Sequence, residues 1–136
     1  MNSVVLYGLL TMLAWGFWIV LGDVASNTID PAMAAFVSYV TATVVVGAYV
    51  VVSDASLAVT NRGVLFAGVA GVAAATGVVS TYIGTTVGST AIVATLGGMY
   101  FVTAAVISIV ALGEPLSTTK VVGIGLALAA IVVINQ

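Results

Sequence analysis

The longest uncharged stretch of the chain limits its fold more than any other feature, because it runs for 51 residues from Gly63 to Gly113. As a single helix it would measure roughly 76 Å, against about 30 Å for the hydrocarbon core of a bilayer. The stretch must therefore turn once. Its polar, glycine-flanked break is the segment 84–90, which predicts two spans of about 63–83 and 91–112.

The whole chain of 136 residues has only six charged side chains: Asp23, Asp30, Asp54, Arg62, Glu114 and Lys120. A soluble domain of this size buries about two-thirds of its surface, and the remainder must be wetted by water. Six charges cannot supply that surface. We therefore expect lipid, rather than water, to surround most of this chain.

Charges and turn residues divide the chain into five apolar stretches, about 4–21, 32–52, 63–83, 91–112 and 118–134. Each is close to the ~20 residues that cross a bilayer as a helix, and an open chain pairs its backbone in lipid only as helices. A β-barrel is excluded because the stretches are too long and lack alternating polarity. The sequence predicts an all-α membrane protein, a bundle of five transmembrane helices with short loops, as one domain over 1–136.

The two cations predict the orientation of these spans. With five crossings, Arg62 and Lys120 fall on the same side as the N-terminus, whereas Asp23 and Asp30 fall on the other. The positive-inside rule then places the N-terminus in the cytoplasm and the C-terminus outside the cell. We expect the chain to lie in the plasma membrane.

Several kinds of chemistry are absent from the sequence. It has no Cys and no His, which removes thiolate nucleophiles, the usual metal sites and histidine bases. Two cations cannot neutralise a run of phosphates, which excludes nucleic-acid binding. We predict that the chain is not an enzyme and uses no metal or cofactor.

Small residues recur at four-residue spacing in three of the predicted spans. They are Ala34, Ser38 and Ala42 in the second, Ala67, Gly71 and Ala75 in the third, and the pairs Gly123 and Ala127, and Gly125 and Ala129, in the fifth. Such ridges let helices approach closely in lipid. They indicate tight packing within one bundle, and the ridge of the fifth span has a second interpretation as a dimer face.

Aromatic and hydroxyl side chains are the main polar groups at mid-depth in the spans. The candidate solute-binding positions are Trp15, Trp18, Tyr39, Thr43, Tyr100 and Thr103. Hydroxyls in hydrocarbon often bond to their own helix backbone, which is the alternative for each threonine. No ionisable residue lies at the centre of a span, so these neutral side chains would line any cavity for a small uncharged or amphipathic solute.

Three segments resemble the EamA domain, the repeat unit of the drug/metabolite transporter superfamily. Leu112-Gly113-Glu114-Pro115-Leu116-Ser117, followed by a Gly-containing final helix, is similar to the close of that domain. Tyr100-Phe101-Val102-Thr103 is similar to its Tyr-Pro-x-Thr, with Phe101 where many relatives have Pro. Leu13–Trp18 contains a Trp-Gly that is similar to the one in its first helix. The resemblance covers the whole chain in order.

The resemblance implies a carrier of small metabolites or drugs that works by alternating access. Most members contain two such domains in inverted orientation, which implies that this unit acts as a homodimer or with a second half-transporter. Parallel and inverted pairing both stay open. We expect Glu114 to fix the turn before the last span rather than to bind solute.

A second class of function is a non-transporting membrane subunit that packs in a larger complex. The absence of a charge at the centre of any span favours it, because proton-coupled carriers commonly use a buried carboxylate there.

Overall fold

The computed structural model describes residues 3–134, apart from the side chain of Ile131, and every regular element in that range is an α-helix. The helices are α1 Ser3–Ser26, α2 Pro31–Val52, α3 Asn61–Val87, α4 Thr90–Gly98, α5 Tyr100–Leu112 and α6 Thr118–Ile134. Met99 alone separates α4 from α5, and the two form one apolar segment. The six described helices therefore form five apolar segments, which confirms the predicted all-α fold.

Four of these segments are long and apolar enough to cross a membrane: α1, α2, α3 and the interrupted segment Thr90–Leu112. The fifth, α6, is apolar but has 17 residues, or about 25 Å of helix. That length is at the short end of the range for spanning helices. The chain is an integral membrane protein.

The described helices form two compact units, Met1–Val87 and Gly88–Gln136. In the first unit, α1, α2 and α3 each contact the other two. In the second unit, α4 contacts both α5 and α6. The buried side chains of the described range all belong to the first unit.

The core of the first unit lies near the short loop between α1 and α2. Its buried apolar residues are Ala34 and Ala35 at the start of α2 and Val78 and Tyr82 near the end of α3. The last turns of α1 lie beside them, because Ala25 packs against this cluster. It follows that α2 runs antiparallel to both α1 and α3.

Helix α2 begins where the sequence predicts, because Asp30 and Pro31 supply a start signal. The Asp30 carboxylate accepts hydrogen bonds from the backbone N–H groups of Ala32, at 2.9 Å, and Met33, at 3.3 Å. Pro31 has no N–H to satisfy and is the first helical residue.

Helices α1 and α3 both continue beyond their predicted ends, which were 21 and 83. In α3 the threonines of the predicted turn bond to their own helix: the hydroxyl of Thr85 donates to the Tyr82 carbonyl at 3.0 Å and that of Thr86 to the Ile83 carbonyl at 2.8 Å. Their polarity therefore does not end the helix. The connection to α4 shortens to Gly88 and Ser89.

The turn before α6 follows the predicted signals. Gly113 ends α5 in the left-handed conformation, with φ 69°, which glycine adopts without strain. Ser117 accepts a hydrogen bond from the Lys120 backbone N–H at 3.3 Å, as a capping residue does. Lys120 Nζ lies 3.0 Å from Glu114 Oε2 and 3.2 Å from the Pro115 carbonyl oxygen, so Glu114 does hold this turn.

The small-residue ridges pack only in part. Ala34 is buried and Ser38 is half-buried, but Ala42 is exposed. The expected packing of Ala67, Gly71 and Ala75 is wrong for this chain, because all three are exposed. The buried face of α3 starts only at Val78, where the helix meets the end of α1. In α6, Ala127 is half-buried and the glycines are exposed.

Candidate functional site

Two tryptophans one turn apart define the aromatic face of α1. The ring centroids of Trp15 and Trp18 are 5.2 Å apart, and the rings meet at 89°, edge to face. This geometry places the positive edge of one ring against the negative face of the other, which is a favoured arrangement for aromatic pairs. Trp15 stays 47% exposed, so part of this residue is free of contact with the rest of the described chain.

Trp18 is fixed from two other helices. Its indole N–H donates to the hydroxyl of Ser38 on α2, at 3.1 Å. Its ring lies 5.3 Å from the ring of Tyr82 on α3, at an interplanar angle of 35°. Because α1, α2 and α3 all contribute to these contacts, Trp18 is the point where the three helices of the first unit meet.

A glycine on α1 makes room for Tyr82. A side-chain carbon placed on Gly22 would lie 2.6 Å from Cζ and 2.9 Å from the hydroxyl oxygen of Tyr82. These distances are too short for any residue larger than glycine unless the ring moves. Tyr82 is only 3% exposed, so the ring is enclosed and α1 and α3 approach closely here.

Tyr39 joins α2 to α3. Its hydroxyl donates to the backbone carbonyl of Ala74 at 3.0 Å, and its ring packs against the buried cluster that Trp18 also contacts. The hydroxyl of Thr43 donates to the Tyr39 carbonyl at 2.8 Å, within the same helix. Thr11 does the same with the Tyr7 carbonyl at 2.9 Å, which confirms that these threonines are satisfied by their own helices.

Tyr100 and Thr103 lie in the second unit, one turn apart in the first part of α5. Both are exposed. They follow directly on the interruption at Met99, whose carbonyl accepts from the Val102 N–H at 2.8 Å in a tight three-residue turn. The two residues before it, Gly97 and Gly98, are poor helix formers and lie at the end of α4.

Of the six predicted positions, the structure therefore brings together Trp15 and Trp18, and it places Tyr39 on the same cluster as Trp18. Thr43 lies one turn beyond Tyr39 on α2, whereas Tyr100 and Thr103 belong to the other unit.

The sequence analysis does not predict two features of the aromatic cluster. These are the ring contact of Tyr82 and the hydrogen bond that Ser38 accepts. A signal for Tyr82 was present: Gly71, Ala75, Val78, Tyr82 and Thr85 follow the 4-3-4-3 spacing of one helix face. The small residues at the start of this series are typical of close helix packing, which does not by itself indicate an aromatic contact at Tyr82.

The charged residues all lie at helix ends or in loops. Asp23 is in the last turn of α1, Arg62 in the first turn of α3 and Lys120 in the first turn of α6. The Arg62 guanidinium lies 5.7 Å from the centre of the Phe66 ring, a cation–π distance. Among residues 3–134, no cluster of three or more acidic side chains is suited to holding a metal ion.

The fold and this site together define an integral membrane protein, helical throughout its regular described elements, with an aromatic cluster held between three apolar helices. The sequence profile of the EamA-like transporter family matches residues 2–136, and the chain belongs to this family. The family assignment confirms the resemblance carried by the segments at 13–18, 100–103 and 112–117. No curated protein and no solved structure matches the chain.

Proposed function

We propose that this chain is a half-size transporter of small metabolites or drugs, and that it works by alternating access as a dimer. The observation that carries the proposal is the open face of Trp15, held in place by Trp18 in a chain of a transporter family. An aromatic face in an apolar surrounding offers a solute contact area with little conformational freedom to lose.

The solute class follows from the side chains near the site. Trp15, Trp18, Tyr39 and Thr43, with Tyr100 and Thr103 of the second unit, are the proposed lining positions, and all are neutral. A fully charged solute has no counter-ion there, and an isolated charge is costly in apolar surroundings. We therefore favour a small uncharged or amphipathic solute, with no cofactor and no catalytic step.

The proposed partner is a second five-helix domain of the same kind, either another copy of the chain or a separate half-transporter. The most apolar windows of α1 and of Thr90–Leu112 contain no buried residue, and in α2 and α3 only 6% of the window is buried. That apolar surface faces lipid and, in our proposal, the second domain.

The proposed topology places the N-terminus in the cytoplasm and the C-terminus outside, in the plasma membrane. Arg62 and Lys120 support it, because they fall on one side of a five-span chain. The ion pair with Glu114 ties Lys120 to its own turn, but acidic residues contribute little to the positive-inside rule, so Lys120 still counts as a determinant.

The competing function is a membrane subunit without transport activity that packs in a larger complex. The placement of all six charges at helix ends and loops favours it, since no buried carboxylate is present in α1 to α6 to couple transport to protons. Family membership favours the transporter.

Accessibility labelling tests the proposed cavity directly, because the chain contains no native Cys. Single-Cys variants at Trp15, Trp18, Tyr39, Thr43, Tyr100 and Thr103 are treated with a water-soluble thiol reagent in membranes. Phe17→Cys is the matched control: it lies on the opposite side of α1 from Trp15 and is 69% exposed in the isolated chain. We expect labelling at Trp15→Cys and none at Phe17→Cys, which faces lipid. If the reagent reaches none of the six positions, the cavity proposal is wrong.

A further inference from the structure

Trp18 contacts side chains of all three helices of the first unit, and these contacts fix its position. Its N–H is bonded to Ser38 on α2, one side of its ring faces Tyr82 on α3, and Trp15 packs edge to face with it on α1. The open ring surface of the cluster belongs to Trp15, whereas Trp18 is half-buried.

We propose that Ser38 and Tyr82 are positioning residues, which fix Trp18 and through it the orientation of Trp15 toward solute. Neither residue touches solute in this arrangement. Ser38 sets the rotation of the Trp18 indole through one hydrogen bond, and Tyr82, enclosed against Gly22, sets its depth. Solute bound on Trp15 is thereby coupled to the packing of α1 against α2 and α3. The inference rests on the proposed function.

The two residues of α2 and α3 that contact Trp18 are themselves held in closely packed surroundings. Tyr82 is 3% exposed and its ring is confined by the backbone at Gly22. Ala34 and Ala35, which are 4% and 2% exposed, hold the α2 end of the cluster closed next to Ser38. A change in the position of Trp18 would therefore disturb its bond to Ser38 or its contact with the enclosed Tyr82 ring.

The first test uses the two tryptophans of the chain as reporters. In a Trp15→Phe background, Trp18 is the only fluorophore of its kind, and acrylamide measures its accessibility in detergent micelles. We expect Ser38→Ala to increase quenching of Trp18 and Ser38→Thr, which keeps a hydroxyl, to restore it. Ser53→Ala is the matched control, because Ser53 is an exposed serine that follows the far end of α2. Equal quenching in all four proteins would contradict the proposed bond.

The second test measures transport of labelled phenylalanine, glucose and tetraphenylphosphonium into vesicles. For any probe that the wild type carries, we expect Ser38→Ala and Tyr82→Leu to raise KM about two- to tenfold, the change that one net hydrogen bond produces. The value of kcat should change less, Ser38→Thr should recover the KM, and Tyr49→Leu, an exposed tyrosine on α2, should have no effect.

The outcomes separate the two proposals. If the wild type carries a probe but Ser38→Ala leaves its KM unchanged, the positioning role is wrong and the proposed function stands. If the wild type carries none of the three probes while an unrelated carrier does so in the same vesicles, both are overturned. Should Tyr82→Leu fail to fold, the comparison of Ser38→Ala with Ser38→Thr decides alone.

Discussion

At the scale of single residues, Gly22 and Tyr82 show how one missing side chain shapes the packing of this protein. Gly22 is near the end of α1, where glycine lowers helix stability by roughly 1 kcal/mol relative to alanine. Glycine is nevertheless required here, because the Tyr82 ring occupies the space that a side chain on Gly22 would take. The glycine therefore marks the contact between α1 and α3.

This contact gives a stability prediction. We expect Gly22→Ala to lower the free energy of unfolding by about 1–3 kcal/mol, the usual range for overpacking, as measured by thermal or denaturant unfolding in detergent. Gly16→Ala is the control on the same helix, since a side-chain carbon there meets nothing within 4 Å, and it should be neutral or slightly stabilising. Combining Gly22→Ala with Tyr82→Leu should remove part of the loss; no rescue would contradict the contact.

The aromatic contacts also mark the limit of prediction from sequence at this scale. Trp15 and Trp18 were predictable as one face, because spacing along a helix determines which residues share it. The bond from Trp18 to Ser38 joins residues 20 positions apart, and no local spacing encodes which helix rotations bring them together. The pairing of Tyr82 with Gly22 depends on the same rotations.

At the scale of helices, the sequence predicts starts and ends well where a residue has a specific backbone role. The start of α2 at Asp30-Pro31 and the end of α5 at Gly113 agree with prediction, because capping and the left-handed conformation are local properties. The predicted ends of α1 and α3 fall too early, because polar residues do not by themselves end a helix. Thr85 and Thr86 instead bond to carbonyls of their own helix.

The helix cap formed by Asp30 gives a prediction about the stability of α2. Removing its carboxylate leaves the backbone N–H groups of Ala32 and Met33 without their acceptor, so we expect Asp30→Ala to lower the free energy of unfolding by about 0.5–2 kcal/mol. Asp30→Asn keeps a side-chain oxygen and should retain most of the stability. Unfolding curves of both variants in the same detergent check it; a loss as large in the asparagine variant would show that the cap is not the reason.

At the scale of the whole molecule, the small number of charged residues explains why lipid surrounds the chain and why charged groups are absent from the middle of its helices. The six charges lie at helix ends and in loops, which leaves apolar segments long enough for a bilayer. In our proposal, it also leaves solute recognition to aromatic and hydroxyl groups. The class of protein was predictable, because lipid imposes the same length and polarity on any spanning helix. The proposed partner domain is not predictable in this way, because a helix face that packs on another helix in lipid can be as apolar as a face that contacts lipid.

The most direct test of the proposed function is solute uptake into vesicles that contain the purified protein. A panel of labelled amino acids, sugars and lipophilic cations is compared in vesicles with wild type, Trp15→Ala, Phe17→Ala or no protein. We predict that the wild type takes up at least one solute above the protein-free level. Trp15→Ala should reduce that uptake about tenfold, the effect of losing one aromatic contact, while Phe17→Ala leaves it unchanged. No uptake by the wild type, or an equal loss in both variants, would contradict a transporter whose solute binds on Trp15.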